Sequence, residues 1–232
     1  MNGIEVISPE ALHKNASDQT KNNMEGNWRY LRMIPTKEEA IQLLEWAGKC
    51  NPGPWVDHSK VVARIAETIS MKCGLDIHRA YVSGLLHDIG RYDGIRDLYH
   101  VYAGHKLLIN KGYNEIAEIC LSHSFPYQDI DEYFGKNDCL PEEAEGIISF
   151  LSNTTYDDYD KLIQLCDAIG TSEGARLIEV RIIDVIRRNG LAKLTVQKIE
   201  ALFELKMYFD KLCDMNIYDL FYDEVRDTSF RQ

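Results

Sequence analysis

The sequence has no long run of apolar residues. No stretch approaches the roughly 18 consecutive apolar residues that a membrane-spanning helix requires. The first 27 residues show neither an apolar secretory core nor an arginine-rich amphipathic pattern, so we predict no targeting peptide and a cytoplasmic location. Hydrophobic residues make up 45% and charged residues 27% of the 232 residues, a composition typical of soluble globular proteins.

Clustered cysteines are also lacking. The six cysteines occur singly, with no Cys-x-x-Cys pair, which argues against a disulfide framework and against a closed structural zinc site. We therefore predict that all six are reduced core residues: Cys50, Cys73, Cys120, Cys139, Cys166 and Cys213.

Positive charge is scarce. Lys and Arg number 26 against 37 Asp and Glu, which gives a formal net charge of -11. Nucleic acid polymers and anionic membranes both need a basic face, so we expect neither as a partner. A small anionic ligand would need cations gathered at its own site.

Strand-like alternation is nearly absent, whereas helical periodicity is frequent, and the sequence predicts an all-α bundle of roughly nine helices. Thr36 and Glu39 form a capping box before the first helix, and the break NPGPW at 51–55 precedes a second helix that opens near Asp57.

We predict a flexible arm over 1–27 and one domain over 28–232 that ends in a C-terminal helical extension. The segment 125–140 is either a lid or a packed loop. Further helices are predicted at about 76–87, 98–111, 113–123, 141–151, 157–169, 172–189 and 195–213.

Several ionisable residues stand where the helical pattern calls for apolar ones. His58 heads the stripe of Val61 and Val62, and His123 continues the stripe of Ile116 and Ile119. Burying such groups unpaired costs several kcal/mol each, and a divalent metal offsets that cost. Imidazole nitrogen with carboxylate oxygen suits iron, manganese, zinc, cobalt or nickel better than calcium. The candidate ligands are His58, His87, Asp88, His100, His123 and Asp167, whereas His13, His78 and His105 lie at more polar positions.

The order of these residues resembles the signature of the HD domain superfamily of metal-dependent phosphohydrolases, of the HDIG type. The strings "DHSKVVARIAETIS", "AYVSGLLHDIGR", "HVYAGHKLL", "CLSHSF" and "LIQLCDAIG" resemble its segments over about 55–170. One departure is His105, where alanine often follows the glycine. The resemblance implies an HD helical bundle with a metal site between facing helices. Two ions are implied, the first held by His58, His87, Asp88 and Asp167, the second by Asp88, His100 and His123.

The resemblance also implies hydrolysis of a phosphoester or phosphoanhydride bond by attack of a metal-bound hydroxide on phosphorus. We predict a small phosphorylated substrate, a nucleotide or dinucleoside polyphosphate, with Asp88 and Arg91 as the catalytic residues. Arg91 follows the HDIG turn, where a guanidinium can bind phosphate bidentately. Weaker candidates for phosphate binding are Arg176 and Arg181, and for stacking on a nucleobase Tyr92, Tyr99 and Tyr127.

Two alternatives remain open from the sequence. A few HD proteins resemble this ligand set yet use a mixed-valent di-iron centre as an oxygenase, and a regulatory module could bind a nucleotide without turnover. The charged and apolar pattern of 172–189 permits either a bundle helix or a homodimer contact.

Overall fold

The computed structural model describes residues 34–227, and this part of the chain is predominantly helical. It contains ten α-helices and no β-strand, so the predicted all-α class is confirmed. The arm predicted over 1–27 lies outside the described residues. No helix within 34–227 combines the length and the apolar character needed to cross a bilayer. The helices are α1 (Lys37–Cys50), α2 (Trp55–Cys73), α3 (Ile77–Leu86), α4 (Tyr99–Ile109), α5 (Asn114–Ser122), α6 (Pro141–Asn153), α7 (Asp158–Ile169), α8 (Ile178–Asn189), α9 (Thr195–Cys213) and α10 (Tyr222–Asp227). Short 3-10 helices occur at Ile89–Asp93, Ile130–Glu132 and Ile217–Phe221.

The first two helices begin where local chemistry allows. The predicted capping box of α1 is present: Glu39 N donates to Thr36 Oγ1 at 3.2 Å, and Thr36 N donates to Glu39 Oε2 at 2.8 Å. Helix α2 begins at Trp55, two residues before the predicted start. Pro54 precedes it with helical dihedral angles, and the ring of proline restricts φ to values that suit a helix start.

The helix predicted over 172–189 begins later, at Ile178. A turn occupies the residues before it: Gly174 N donates to Thr171 Oγ1 at 3.2 Å, and Arg176 N donates to Ile169 O at 2.7 Å. Because the backbone of this turn bonds back to the end of α7, it is not available for a helix. The local hydrogen bonds of the threonine outcompete the helical pattern here.

Helices α2, α7 and α9 supply the largest apolar cluster, which includes Ile69, Ile163 and Phe209, all fully buried. A second cluster joins α1, α3 and α5 around Leu44 and Leu86. Fully burying one such side chain contributes about 1.5–3 kcal/mol. These clusters hold the ends of α3 and α5 against the first turn of α2 and the last turn of α7, where the polar residues lie.

The prediction that all six cysteines are core residues is wrong in part. Cys120 and Cys166 are buried, but Cys50 is exposed and the other three are partly buried. Cys50 is the last residue of α1 and lies three residues beyond Ala47, the last buried residue of that helix.

The segment 125–140 is a packed loop rather than a lid. Phe125 and Glu132 are fully buried, and Phe134 is nearly so. Tyr156 Oη donates to Phe125 O at 2.8 Å, which ties the loop to the chain after α6. Phe125 and Phe134 therefore form part of the core, whereas Tyr127 is exposed.

Candidate metal centre

The six predicted ligands converge between the helices. Three sets of three residues each offer ligand atoms that lie within 4.8 Å of one another. Five of the six residues are buried, and Asp167 keeps 27% of its side chain exposed. The six are His58 in α2, His87 and Asp88 directly after α3, His100 in α4, His123 at the end of α5 and Asp167 in α7.

Asp88 lies at the centre of the cluster. Its Oδ1 lies 3.0 Å from His100 Nε2 and 3.6 Å from His123 Nε2, and its Oδ2 lies 4.0 Å from His87 Nε2. One carboxylate thus meets histidines from three parts of the fold.

Asp167 lies on the other side of the cluster, beside His58 and His87. Its Oδ1 lies 2.9 Å from His58 Nε2 and 3.8 Å from His87 Nε2. His87 therefore stands between the two carboxylates. The arrangement places ring nitrogens and carboxylate oxygens in one continuous cluster.

Backbone carbonyls orient three of the four imidazoles. A carbonyl oxygen can only accept a hydrogen bond, so each of these rings carries its proton on Nδ1 and presents the lone pair of Nε2 to the cluster. This orientation of a ring by its outer nitrogen is the usual arrangement for a metal-ligating histidine. The pairs are His87 Nδ1 with Gly84 O at 2.7 Å, His100 Nδ1 with Asp97 O at 2.5 Å, and His123 Nδ1 with Cys120 O at 2.9 Å.

Hydrogen-bond acceptors consequently face one another. His100 Nε2 lies 3.0 Å from Asp88 Oδ1 and 3.4 Å from His123 Nε2. Burial lowers the pKa of His100 and lowers that of His87 to about 4, so an additional proton is not held there at neutral pH. Two buried atoms of the cluster, His87 Nε2 and Asp88 Oδ1, lack a hydrogen-bond partner. A divalent cation would satisfy such acceptors, and the nitrogen and oxygen donors fit it.

Arg91 supports the central carboxylate. Its Nε donates to Asp88 Oδ2 at 2.6 Å, while Asn51 Nδ2 donates to the carbonyl of Arg91 at 2.7 Å. Burial by itself would raise the pKa of Asp88, but the Arg91 guanidinium, His100 and His123 together outweigh burial and hold that pKa well below its usual range. Asp88 is therefore an anion at all physiological pH values.

Gly90 permits the close approach on which this geometry depends. A Cβ at Gly90 would lie 1.9 Å from His100 O and 2.4 Å from Gly104 N. Since no side chain fits between them, the 3-10 helix Ile89–Asp93 can rest directly on α4. This contact brings His100 within reach of Asp88.

A cavity of about 740 Å³ opens onto the cluster. Its size suits a small molecule. Cations outnumber carboxylates in its lining, although the chain as a whole carries a net charge of -11. The cations are Arg91, Arg96, Arg181, Arg188 and Lys198, and the carboxylates are Asp88, Asp167 and Asp184.

The weaker predictions fare unevenly. Arg181 lines the cavity and its Nε donates to Gly170 O at 3.0 Å, but Arg176 is not part of the lining. The three tyrosines predicted to stack on a base do not line the cavity either, and its aromatic lining consists of Trp55, Tyr133 and Phe134. The three are Tyr92, Tyr99 and Tyr127.

Sequence reasoning missed two buried polar residues of the cavity, Gln164 and Lys198. Lys198 lies four residues before Leu202, which is buried in the core, and that spacing is the signal that could have identified it. Gln164 lies three residues before Asp167 on the same face of α7, so its helical position also pointed to the site.

The family model for the HD domain matches residues 55–186. This match covers more than half of the chain and contains all six clustered residues, so the chain belongs to the HD domain family. Members of that family are mostly metal-dependent phosphohydrolases, which supports a metal-dependent hydrolase at this general level. No solved structure matches the chain.

Proposed function

We propose that this protein hydrolyses a phosphoester or phosphoanhydride bond in a small phosphorylated metabolite, with nucleotides and dinucleoside polyphosphates as the substrate class. The observation that carries the proposal is the cavity of an acidic chain in which five cations face three carboxylates. Phosphate is the common metabolite group that such a lining attracts.

Two metal ions account for the cluster. Two of the three ligand sets share Asp88: His58 and His87 join it in one set, and His100 and His123 join it in the other. We assign Asp167 to the first ion as well, because its Oδ1 lies 2.9 Å from His58 Nε2. Iron, manganese, zinc, cobalt or nickel fits this mixture of imidazole and carboxylate.

Such ions, when bound, supply activation of water near neutral pH and charge neutralisation for the phosphoryl oxygens. Arg91 supplies the complementary contact. Its Nε is engaged by Asp88, and no hydrogen-bond partner within residues 34–227 occupies its two Nη atoms. They are available as a planar fork for two phosphoryl oxygens. Asp88 thereby links the metal ligands to the arginine that orients the substrate.

The test is metal analysis combined with a substrate screen on the full chain. We expect about two equivalents of metal per chain, and release of phosphate or a nucleotide when manganese or ferrous iron is supplied with phosphomonoesters, dinucleoside polyphosphates or cyclic nucleotides. Asp167→Asn is expected to lose metal and turnover. Asp184→Asn, which alters a carboxylate of the same cavity outside the cluster, is the control and is expected to keep its metal.

Three results would count against the proposal. A fully metal-loaded protein that turns over none of these esters contradicts it directly. Oxygen uptake with a polyol or an organic phosphonate would instead identify a di-iron oxygenase. Saturable nucleotide binding without any product would identify a regulatory module.

A further inference from the structure

The cavity contains two buried polar side chains that the metal centre does not use. Gln164 lies one helical turn before Asp167, with 1% of its surface exposed, and Lys198 projects from α9 with 8% exposed. Lys198 also lies outside the 55–186 region that matches the HD family. Lys198 is therefore a candidate for a feature specific to this chain, and Gln164 lies beside it in the same cavity.

Both side chains are anchored on either side of His123. Gln164 Nε2 donates to Ser122 O at 3.0 Å, and Lys198 Nζ donates to Ser124 O at 2.6 Å. Both carbonyls belong to residues next to His123, which is one of the clustered histidines. The free polar atoms of the two side chains are thus held beside the proposed reaction centre.

The anchoring bonds determine which atoms remain unpaired. Because Ser122 O can only accept, the amide of Gln164 must turn its nitrogen toward it, and Gln164 Oε1 is left buried without a partner. Within residues 34–227 Ser124 O is the one hydrogen-bond acceptor of Lys198 Nζ, since Glu132 Oε2 is 3.8 Å away. An ammonium has three hydrogens, so donors of Lys198 also remain unused.

We propose that Gln164 and Lys198 form a subsite for a hydroxyl group of the substrate, near the scissile phosphate. A group that contacts both must accept from an ammonium and donate to an amide oxygen. A hydroxyl does both, whereas a carboxylate or a fully ionised phosphate cannot donate and an ammonium cannot accept. Since Gln164 lies one turn, about 5 Å, from Asp167, the hydroxyl belongs to the sugar or polyol that carries the phosphate. This inference rests on the proposed function, which places the phosphate at the cluster.

The experiment compares matched esters with and without hydroxyls. AMP is paired with 2′,3′-dideoxy-AMP and glycerol 3-phosphate with n-propyl phosphate, and p-nitrophenyl phosphate serves as a hydroxyl-free reference. In the native protein we expect kcat/KM to favour the hydroxyl-bearing member of at least one pair by about 10- to 100-fold. Gln164→Met and Lys198→Met are each expected to reduce that ratio to within about twofold of unity. Lys198→Arg is expected to restore part of the ratio, because it keeps a donor.

Lys193→Met is the matched control, because that lysine is exposed and pairs with Asp131 away from the cavity. It is expected to keep the native ratio. Metal content is measured for every variant, so that a ratio is interpreted only for proteins that retain their metal. Equal kcat/KM values within both pairs, or a ratio that Gln164→Met and Lys198→Met leave intact, would overturn the subsite.

Binding separates the subsite from the proposed reaction. Calorimetric titration of the metal-loaded protein with AMP and its dideoxy analogue is expected to give a dissociation constant at least about tenfold lower for AMP. This result would support the subsite even if no ester were hydrolysed. Equal dissociation constants would refute the subsite, while turnover of p-nitrophenyl phosphate would still support the phosphohydrolase.

Discussion

Replacing Gly90 by alanine tests how the site is built. The added Cβ would lie 1.9 Å from His100 O, and Cβ contacts below 3.0 Å are essentially never seen, so the 3-10 helix Ile89–Asp93 and α4 must separate by about 1 Å. The two nearest atoms, His100 O and Gly104 N, belong to the backbone and cannot rotate away from the added Cβ. We expect the free energy of unfolding to fall by about 3 kcal/mol, at the upper end for overpacking, and the melting temperature by about 6–12 °C.

The same displacement moves a ligand. His100 Nε2 now lies 3.0 Å from Asp88 Oδ1, and metal–ligand distances tolerate only about 0.2 Å of change. Gly90→Ala should therefore lose metal as well as stability. Denaturant unfolding and elemental analysis measure the two effects.

Gly146→Ala is the control for the addition of a methyl group to a helix. Its Cβ would meet Tyr102 Cε2 at 3.6 Å, an ordinary contact, so we expect a gain of up to about 1 kcal/mol from higher helix propensity. If Gly90→Ala unfolded like the native protein and kept its full metal content, the argument that this glycine sets the geometry of the site would be refuted.

Three further predictions concern the metal, the arginine and a buried acid. Chelation with EDTA is expected to lower the melting temperature by about 5–10 °C, a loss that added manganese reverses, and an unchanged melting curve would contradict a metal that supports the fold. Arg91→Gln should lower kcat/KM by about 100-fold while Arg96→Gln, at the exposed rim, changes it little; equal effects would contradict the role of Arg91. Burial raises the pKa of Glu132 from an ordinary 4.5 to about 7, although Lys198 opposes this shift. Between pH 4.5 and pH 7 the folded protein therefore keeps a proton on Glu132 that the unfolded chain has released. Native stability should thus fall relative to Glu132→Gln by about 3 kcal/mol as pH rises from 4.5 to 7, and parallel curves from denaturant titrations would contradict this.

The clustered ligands could be predicted because each interrupts an apolar pattern. His58 and His123 stand on helix faces that are otherwise buried, and the structure confirms that both are buried. A polar residue on a buried helix face needs a partner for its polar atoms, and six such residues together indicated that they share one partner. Their role as metal ligands, and their assignment to one ion or to two, stay predictions.

Helical spacing can mark Lys198 and Gln164 as buried, but it does not show which distant groups they contact. Lys198 is positioned by Ser124 O, 74 residues earlier in the chain, and Gln164 by Ser122 O, 42 residues earlier. Likewise, the late start of α8 follows from the bonds of Thr171 and Arg176, which override helical periodicity only because the turn packs against the end of α7. Local sequence cannot supply such information until the helices have been placed in three dimensions.

The charge of the cavity is a further property that local sequence does not predict. The total of -11 correctly describes the chain, yet a ligand in the cavity responds mainly to charges within about 8–10 Å, because salt screens the exposed ones beyond that distance. The five lining cations come from three parts of the chain, 91–96, α8 and α9, with Arg91 and Lys198 more than a hundred residues apart. The fold, rather than the composition, gathers them beside the six clustered residues. An acidic chain can thereby present a positive site to a small anionic ligand.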